Sequence, residues 1–394
     1  MYYTEKIYDK NPHCHTFSAT VLATIDTPKG YAVYLDRTAF FYEGGGQSAD
    51  SGTLGGIEVL DVRDGKEGIY HLLSAPLPEG KIVEGKIDSS KRFRHMQAHS
   101  AEHILSGLAY SLFGAENVGF HLGKTEVTCD YDKPFSYEQI RLLEQKTNQA
   151  IWANLPITVT YPTPQELKEM TYRSKLDLKE NVRIVTVEGI DVCACCAPHV
   201  SYTGEIGVFA ISTFMHYKGG TRCTIKAGVD GLAFLGQMQS QLEEISHLLS
   251  APLDQCAEAV NRLNDTANDL RYTMVGLRRA LMDVRIANAT PKDGCLFFFD
   301  DDATAEDMRY LTATGVGKCE LACGSFVQND GEGWRFLLVS STCDLSMIQP
   351  TLRGEYHAKC GGSRSMLSGI LPKNKDDIMR FLPALLKSCP SANG

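Results

Sequence analysis

"MQAHSAEHIL", residues 96–105, sets two histidines, His99 and His103, four positions apart. Met96, Ala98, Ala101, Ile104, Leu105 and Leu108 surround them and suit a helix. Extended in both directions, "KRFRHMQAHSAEHILSGLAYSLFG" reads as one long helix ending near Gly114. Side chains at i and i+4 share a helix face, with Cβ atoms roughly 5–6 Å apart. Two imidazoles so placed can reach one ion, because Zn–N bonds run about 2.0–2.1 Å. The competing reading makes both histidines ordinary polar or core residues. A zinc-protease helix needs Glu directly after the first His. Ser100 stands there and Glu102 comes two positions later, which disfavours that class.

Two histidines do not complete a site. "DVCACCAPHV", residues 191–200, supplies Cys193, Cys195, Cys196 and His199 in one short stretch. Thiolate and imidazole together suit Zn²⁺. His99, His103, Cys195 and His199 would make a three-histidine, one-cysteine set, although spacing does not choose among the three cysteines. Reduced thiols without a metal are the plain alternative.

The chain has 394 residues, room for two or three domains. Its 43% apolar content supports real cores, and its net charge of −9 does not advertise a nucleic-acid partner, although a local basic face can hide in an acidic total. No apolar run approaches the roughly 20 residues that cross a bilayer. "MYYTEKIYDKNPHCH" lacks the basic and apolar regions of a secretory signal. Thirteen cysteines without such a signal read as thiols or ligands, not disulfides, so a cytoplasmic location is expected.

The expected class is α+β. Residues 1–90 alternate short β runs with turns at "TPKG" and near Asp64-Gly65, which suggests a small β-barrel. Within them "FYEGGGQSADSG" carries Gly44 to Gly46 before Gln47, either a surface loop or a close backbone approach. Residues 91–228 mix the histidine helix, a second helix at "SYEQIRLLEQKTNQAIWANL" and several strands, an α/β domain. Over 229–290, Leu232, Leu235, Met238, Leu242, Ile245 and Leu249, then Cys256, Val260, Leu263, Ala267, Leu270, Met274, Leu277, Leu281 and Val284, follow heptad-like steps. With the break at "SAPLD" these predict an antiparallel coiled-coil hairpin, a spacer or homodimer surface. Residues 291–394 form a C-terminal α/β unit. There "HAKCGGSRSMLSG" could offer backbone N–H groups and Arg364 to a phosphate ahead of a helix-like run. His357 and Cys360 lack further ligands beside them and read as ordinary side chains. Local basic groups that could follow a nucleic-acid backbone are Lys91, Arg92 and Arg94, then Lys218, Arg222 and Lys226, then Arg278, Arg279 and Arg285.

The order GGGQ, then H-x-x-x-H, then C-x-x-x-H followed by "TGEIG" resembles the editing module of alanyl-tRNA synthetases. It is most similar to the long form of the free-standing AlaX-type alanyl-tRNA editing proteins. The hairpin and "CGGSRSMLSG" resemble the DHH-associated domain that follows that module. The resemblance implies a Zn²⁺ site at His99, His103, Cys195 and His199, and hydrolysis of tRNA(Ala) wrongly charged with serine or glycine. Gln47 and Ser100 are then expected to contact the substrate's amino acid. Pro198 and Cys196 depart from the family pattern, which has Gly-Gly-Thr between Cys and His. Against a truncated synthetase, the chain opens with its own β region and shows no ATP-binding signature. A zinc-stabilised tRNA-binding module and a dimeric scaffold without hydrolysis remain the rival readings.

Overall fold

The computed structural model describes residues 1–123, 126–174, 182–329, 331 and 333–389. It is a mixed α+β structure, and the chain divides into two compact units, Met1–Ile245 and Ser246–Gly394.

The first unit opens with six strands closed into a barrel in the order Thr16–Thr27, Gly30–Leu35, Gly68–Leu73, Ile57–Gly65, Gly52–Leu54 and Ile82–Ile87. Period-two patterning explains the closure, because alternate residues such as Phe17, Ala19 and Val21 point inward. They meet Val33, Leu35, Phe40, Val62 and Leu73 in one core.

The histidine helix runs Ser89–Phe113. Asp88 caps it by accepting from the Lys91 backbone N–H, and Gly114 ends it in the left-handed region at φ 61°. The helix packs with Tyr137–Trp152, which begins in a Ser136/Gln139 capping box. A four-stranded antiparallel sheet lies in the same unit, ordered Phe209–Tyr217, Gly220–Ala227, Val127–Tyr131 and Asn117–Leu122. Ile157–Thr160, Ile184–Val187 and Asp191–Ala194 form a second, three-stranded sheet. Met96, Ala101, Ile104 and Leu105 of the histidine helix enter a core with Leu143, Ile151, Val185 and Ile225.

Two glycines govern how close the parts come. At Gly107 a Cβ would lie 2.5 Å from the Ile190 carbonyl oxygen, so only glycine lets the histidine helix reach the strand that begins at Asp191. Gly46, at φ 82°, would place a Cβ 2.6 Å from the Phe120 carbonyl oxygen, and its own carbonyl accepts from Leu122 N–H. The GGGQ segment is therefore a docked turn, the second of its two sequence readings.

A helix at Gly228–Leu249 follows, and Leu232, Leu235, Met238, Leu242 and Ile245 on it are exposed. In the second unit the helix Cys256–Asn288 likewise exposes Leu263, Leu270, Met274, Leu277, Leu281 and Val284. Its packed face carries Met282 and Ile286, against Leu296, Phe298 and Leu311. Those anchors fall off the heptad register read from the sequence.

A five-stranded sheet completes the second unit in the order Cys295–Asp300, Ala322–Gln328, Trp334–Val339, Met366–Leu371 and Lys359–Gly362. The phosphate-turn reading of "CGGSRSMLSG" is corrected by this sheet. Gly361 and Gly362 lead through a turn into the antiparallel strand Met366–Leu371, so no helix N-terminus stands there. Arg364 Nε donates to Asp344 Oδ2 at 2.7 Å.

Candidate metal centre

His99, His103, Cys195 and His199 converge, each offering one donor atom, with all four atoms within 4.8 Å of one another. The helix supplies the first two through its i, i+4 geometry. The segment after the strand Asp191–Ala194 supplies the other two. Cys195 Sγ lies 3.5 Å from His99 Nε2 and 3.4 Å from His199 Nε2. Tetrahedral bonds of about 2.3 Å to sulfur and 2.0–2.1 Å to nitrogen would separate those atoms by about 3.6 Å. The donor spacing therefore fits one tetrahedral ion.

Each histidine is fixed from behind by a different partner. His99 Nδ1 lies 3.0 Å from Gln47 Oε1, His103 Nδ1 lies 3.0 Å from Asp191 Oδ2, and His199 Nδ1 lies 3.0 Å from Ser100 Oγ. An imidazole that gives Nε2 to a metal keeps its proton on Nδ1, and these three acceptors select that tautomer. Asp191 is held in turn by Arg173, whose Nε and Nη2 donate to its two oxygens at 2.7 and 2.8 Å. Burial would raise the Asp191 carboxyl, but His103 and Arg173 bring it down to about 2.

The thiols separate by environment. Burial alone would raise Cys195, yet the charges of His99 and His199 and hydrogen bonds with His103 and His199 carry it well below its ordinary value. Burial pushes Cys196 up to about 11, helped by the Cys195 charge, and burial also raises Cys193. Cys195 is thus the thiolate of the three and the one inside the donor cluster. The Cys196 sulfur lies against the Gly44–Gly45 turn. Burial lowers His199 to about 3, with the neighbouring His103 acting the same way.

A cavity of about 1040 Å³ opens beside the cluster, lined among others by His99, Glu102, His103, Phe120, Arg173 and Cys195. Gln47 and Ser100 are not among its lining residues, and both are buried. Gln47 stands behind His99 and Ser100 behind His199. Sequence reading missed Asp191 and Arg173. Asp191 heads the quoted cysteine stretch, but its partner His103 is 88 positions away and no local pattern links them.

The basic residues divide. Arg92, read as a phosphate contact, is buried, and its guanidinium donates to Asp50 and to the carbonyl oxygens of Ala39 and Pro12. It ties the barrel to the helix and has no face for a ligand. Arg94 pairs with Asp230, and Arg222 grips Asp130 through two bonds of 2.6 and 2.7 Å. Arg278, Arg279 and Arg285 pair with Asp307, Glu306 and Asp300. Lys226 is half-buried and Arg364 exposed, while exposed Lys218 lies over the Tyr217 ring. Lys6, not singled out in the sequence, lines the cavity over Tyr42. Among the described residues all thirteen cysteines are free, and no helix is long and apolar enough to cross a membrane.

Residues 182–222 match the family described as the threonyl and alanyl tRNA synthetase second additional domain. "Alanyl-tRNA editing protein Aarsd1" of Danio rerio is 30% identical over 351 residues, covering 86% of this chain and 84% of that protein. Its Rattus norvegicus namesake is 27% identical over 347 residues with the same coverage. "Alanine--tRNA ligase" of Methanococcus maripaludis is 28% identical over 289 residues, 70% of this chain but 32% of the ligase. Similarity that covers 84% of the editing protein, at 30% identity, but only 32% of the ligase settles the kinship: the chain belongs to the AlaX-type alanyl-tRNA editing proteins.

Proposed function

We propose that this protein is a trans-editing deacylase. It would hydrolyse the ester of Ser-tRNA(Ala) or Gly-tRNA(Ala) at a Zn²⁺ held by His99, His103, Cys195 and His199. The observation that carries the reading is the set of three anchored imidazoles and one thiolate at the wall of a wide cavity. Bound there, zinc would polarise the ester carbonyl or lower the pKa of a water. The protein's own part is orientation: Gln47, Asp191 and Ser100 hold the rings, and Arg173 holds Asp191. A synthetase pocket rejects near-isosteres of alanine poorly by binding alone, which is the chemical reason for a second, hydrolytic site.

Four protein donors are also the count of a closed structural zinc site, which favours a zinc-stabilised tRNA-binding or scaffold module as the second reading. A large cavity against the donors is what such a scaffold does not need. Incubation of the purified protein with Ser-, Gly- and Ala-tRNA(Ala), with and without chelator, separates the two. Release of serine or glycine that stops on chelation and returns with Zn²⁺ supports the deacylase; intact esters under all conditions leave the scaffold.

Within this reading the tRNA backbone follows Lys218, Lys226, Arg94, Arg222 and Arg364, with Arg92 withdrawn. The protein works in the cytoplasm, and the exposed apolar residues of the two long helices serve a homodimer.

A further inference from the structure

An aminoacyl ester differs from other acyl esters by its free α-ammonium group, and a site that selects it needs an unspent anion. Among the described residues four carboxylates line the cavity: Asp9, Glu102, Glu116 and Asp191. Asp191 is consumed by His103 and Arg173. Asp9 pairs with Arg183 at 3.1 Å and accepts from Tyr161 Oη at 2.7 Å. Glu116 is exposed.

Glu102 differs from all three. It is only 4% exposed and sits one residue before His103 on the histidine helix. Its Oε1 accepts from Ser106 Oγ and Asn117 Nδ2, both at 2.6 Å. Its Oε2 lies 3.9 Å from His103 Nε2, beyond hydrogen-bond reach, and meets no donor among the described residues. Two short bonds thus lock one oxygen and leave the other at the cavity wall beside the donor cluster, close to His103 but with no hydrogen-bond donor among the described residues. A carboxylate oxygen that lacks donors gains most from a cation that brings its own. The α-ammonium carries both the charge and three donors.

We propose that Glu102 is the specificity-determining contact for the substrate's α-ammonium group, with Ser106 and Asn117 as positioning residues that aim it. The inference rests on the deacylase reading. It explains a recognition element that both serine and glycine share.

The test compares Ser-tRNA(Ala) with glyceryl-tRNA(Ala), the same ester with the ammonium replaced by hydroxyl, in wild type and Glu102→Gln. Gln keeps an acceptor for Ser106 and Asn117 but turns an amide donor toward the ammonium. Wild type should favour the seryl ester, and Glu102→Gln should lower kcat/KM for it by roughly 10- to 100-fold, the scale of a hydrogen bond to a charged group. Hydrolysis of the glyceryl ester should stay within about twofold, so that the preference collapses. Asn117→Ala, which loosens the clamp, should erode the preference partly in the same sense. Binding of a non-hydrolysable 3′-seryl-amide of adenosine against its glyceryl counterpart, by calorimetry, should show the same collapse without turnover. An equal loss on both esters, or a fall in zinc content in Glu102→Gln, would overturn the assignment and place Glu102 at the reacting centre or on the metal. Failure of wild type to cleave either ester would instead remove the deacylase reading itself.

Discussion

His103 and Asp191, 88 positions apart in the chain, meet at 3.0 Å between Nδ1 and Oδ2, and Gly107 makes the meeting possible by removing the side chain that would hold their elements apart. The carboxylate orients the ring and, through Arg173, is itself kept from turning. Replacing Asp191 with Asn keeps the shape but removes the charge. Zinc affinity should fall about 10- to 100-fold, the usual effect of losing a ligand's orienting partner. Competition with a chromogenic chelator measures it; an unchanged affinity would show that Asp191 serves Arg173 alone.

The ligand set makes a sharper claim about neighbouring thiols. Cys195→Ser and His103→Ala should each abolish stoichiometric zinc in elemental analysis, whereas Cys196→Ser should retain it. Cys196 is pushed up to about 11 and turned toward Gly44–Gly45, so it is neither ionised nor aimed at the histidines at neutral pH. Loss of zinc in Cys196→Ser would shift the ligand by one residue.

The sequence reads Ser100 as a contact to the substrate's amino acid, and its place behind His199 predicts a different effect. Besides meeting His199 Nδ1, its Oγ accepts from the Val200 backbone N–H at 3.2 Å. Ser100→Ala should therefore weaken zinc binding and lower Ser-tRNA and Gly-tRNA hydrolysis by the same factor, leaving that N–H unpaired at a cost of about 1–3 kcal/mol in stability. A selective loss on the seryl substrate would restore the contact role.

These cases show what the sequence could disclose. His99 and His103 needed only helical periodicity, because both ligands lie within one turn. The barrel strands followed from alternation and turns, as in Phe17, Ala19 and Val21. Arg92 was misread because a run of basic residues looks solvated until Asp50, 42 positions earlier, is folded against it. On the long helix the seam residues Leu281 and Val284 stay exposed, while Met282 and Ile286, off that seam, pack within the second unit. Arg364 followed a glycine pair that marks a helix start in some folds and a strand turn here.

The barrel carries its own acid sensitivity. His71 is fully buried, with Nε2 2.8 Å from Thr38 Oγ1, and burial lowers its pKa from 6.5 to about 4. Below pH 6.5 the unfolded chain takes a proton that the folded barrel refuses until about pH 4. Stability is therefore lost as pH falls through that window, by up to about 1.4 kcal/mol per pH unit from this one group. Urea midpoints between pH 7 and 4.5 should fall less steeply in His71→Gln than in wild type. His95, lowered to about 4 mainly by burial, adds a similar slope to both proteins and cancels in the comparison. Parallel slopes would mean that His71 exchanges its proton before the barrel opens.

The tRNA path is tested by charges without carboxylate partners. Lys6 lines the cavity and Lys218 is exposed, and neither forms an ion pair among the described residues. Each phosphate contact releases counterions and adds about 0.7–0.9 to the slope of log affinity against log salt. Lys6→Glu with Lys218→Glu should weaken binding of uncharged tRNA(Ala) and flatten that slope by one to two such steps. Zinc content should stay unchanged, and so should hydrolysis of a small seryl ester. Arg92→Glu should behave differently. It leaves Asp50 buried opposite a like charge, so the loss should appear in folding, at roughly the 3–5 kcal/mol of a broken buried pair, not in the salt slope. A salt slope that stays at its wild-type value in the double lysine variant would remove Lys6 and Lys218 from the path and leave Arg94, Arg222, Lys226 and Arg364 to carry it.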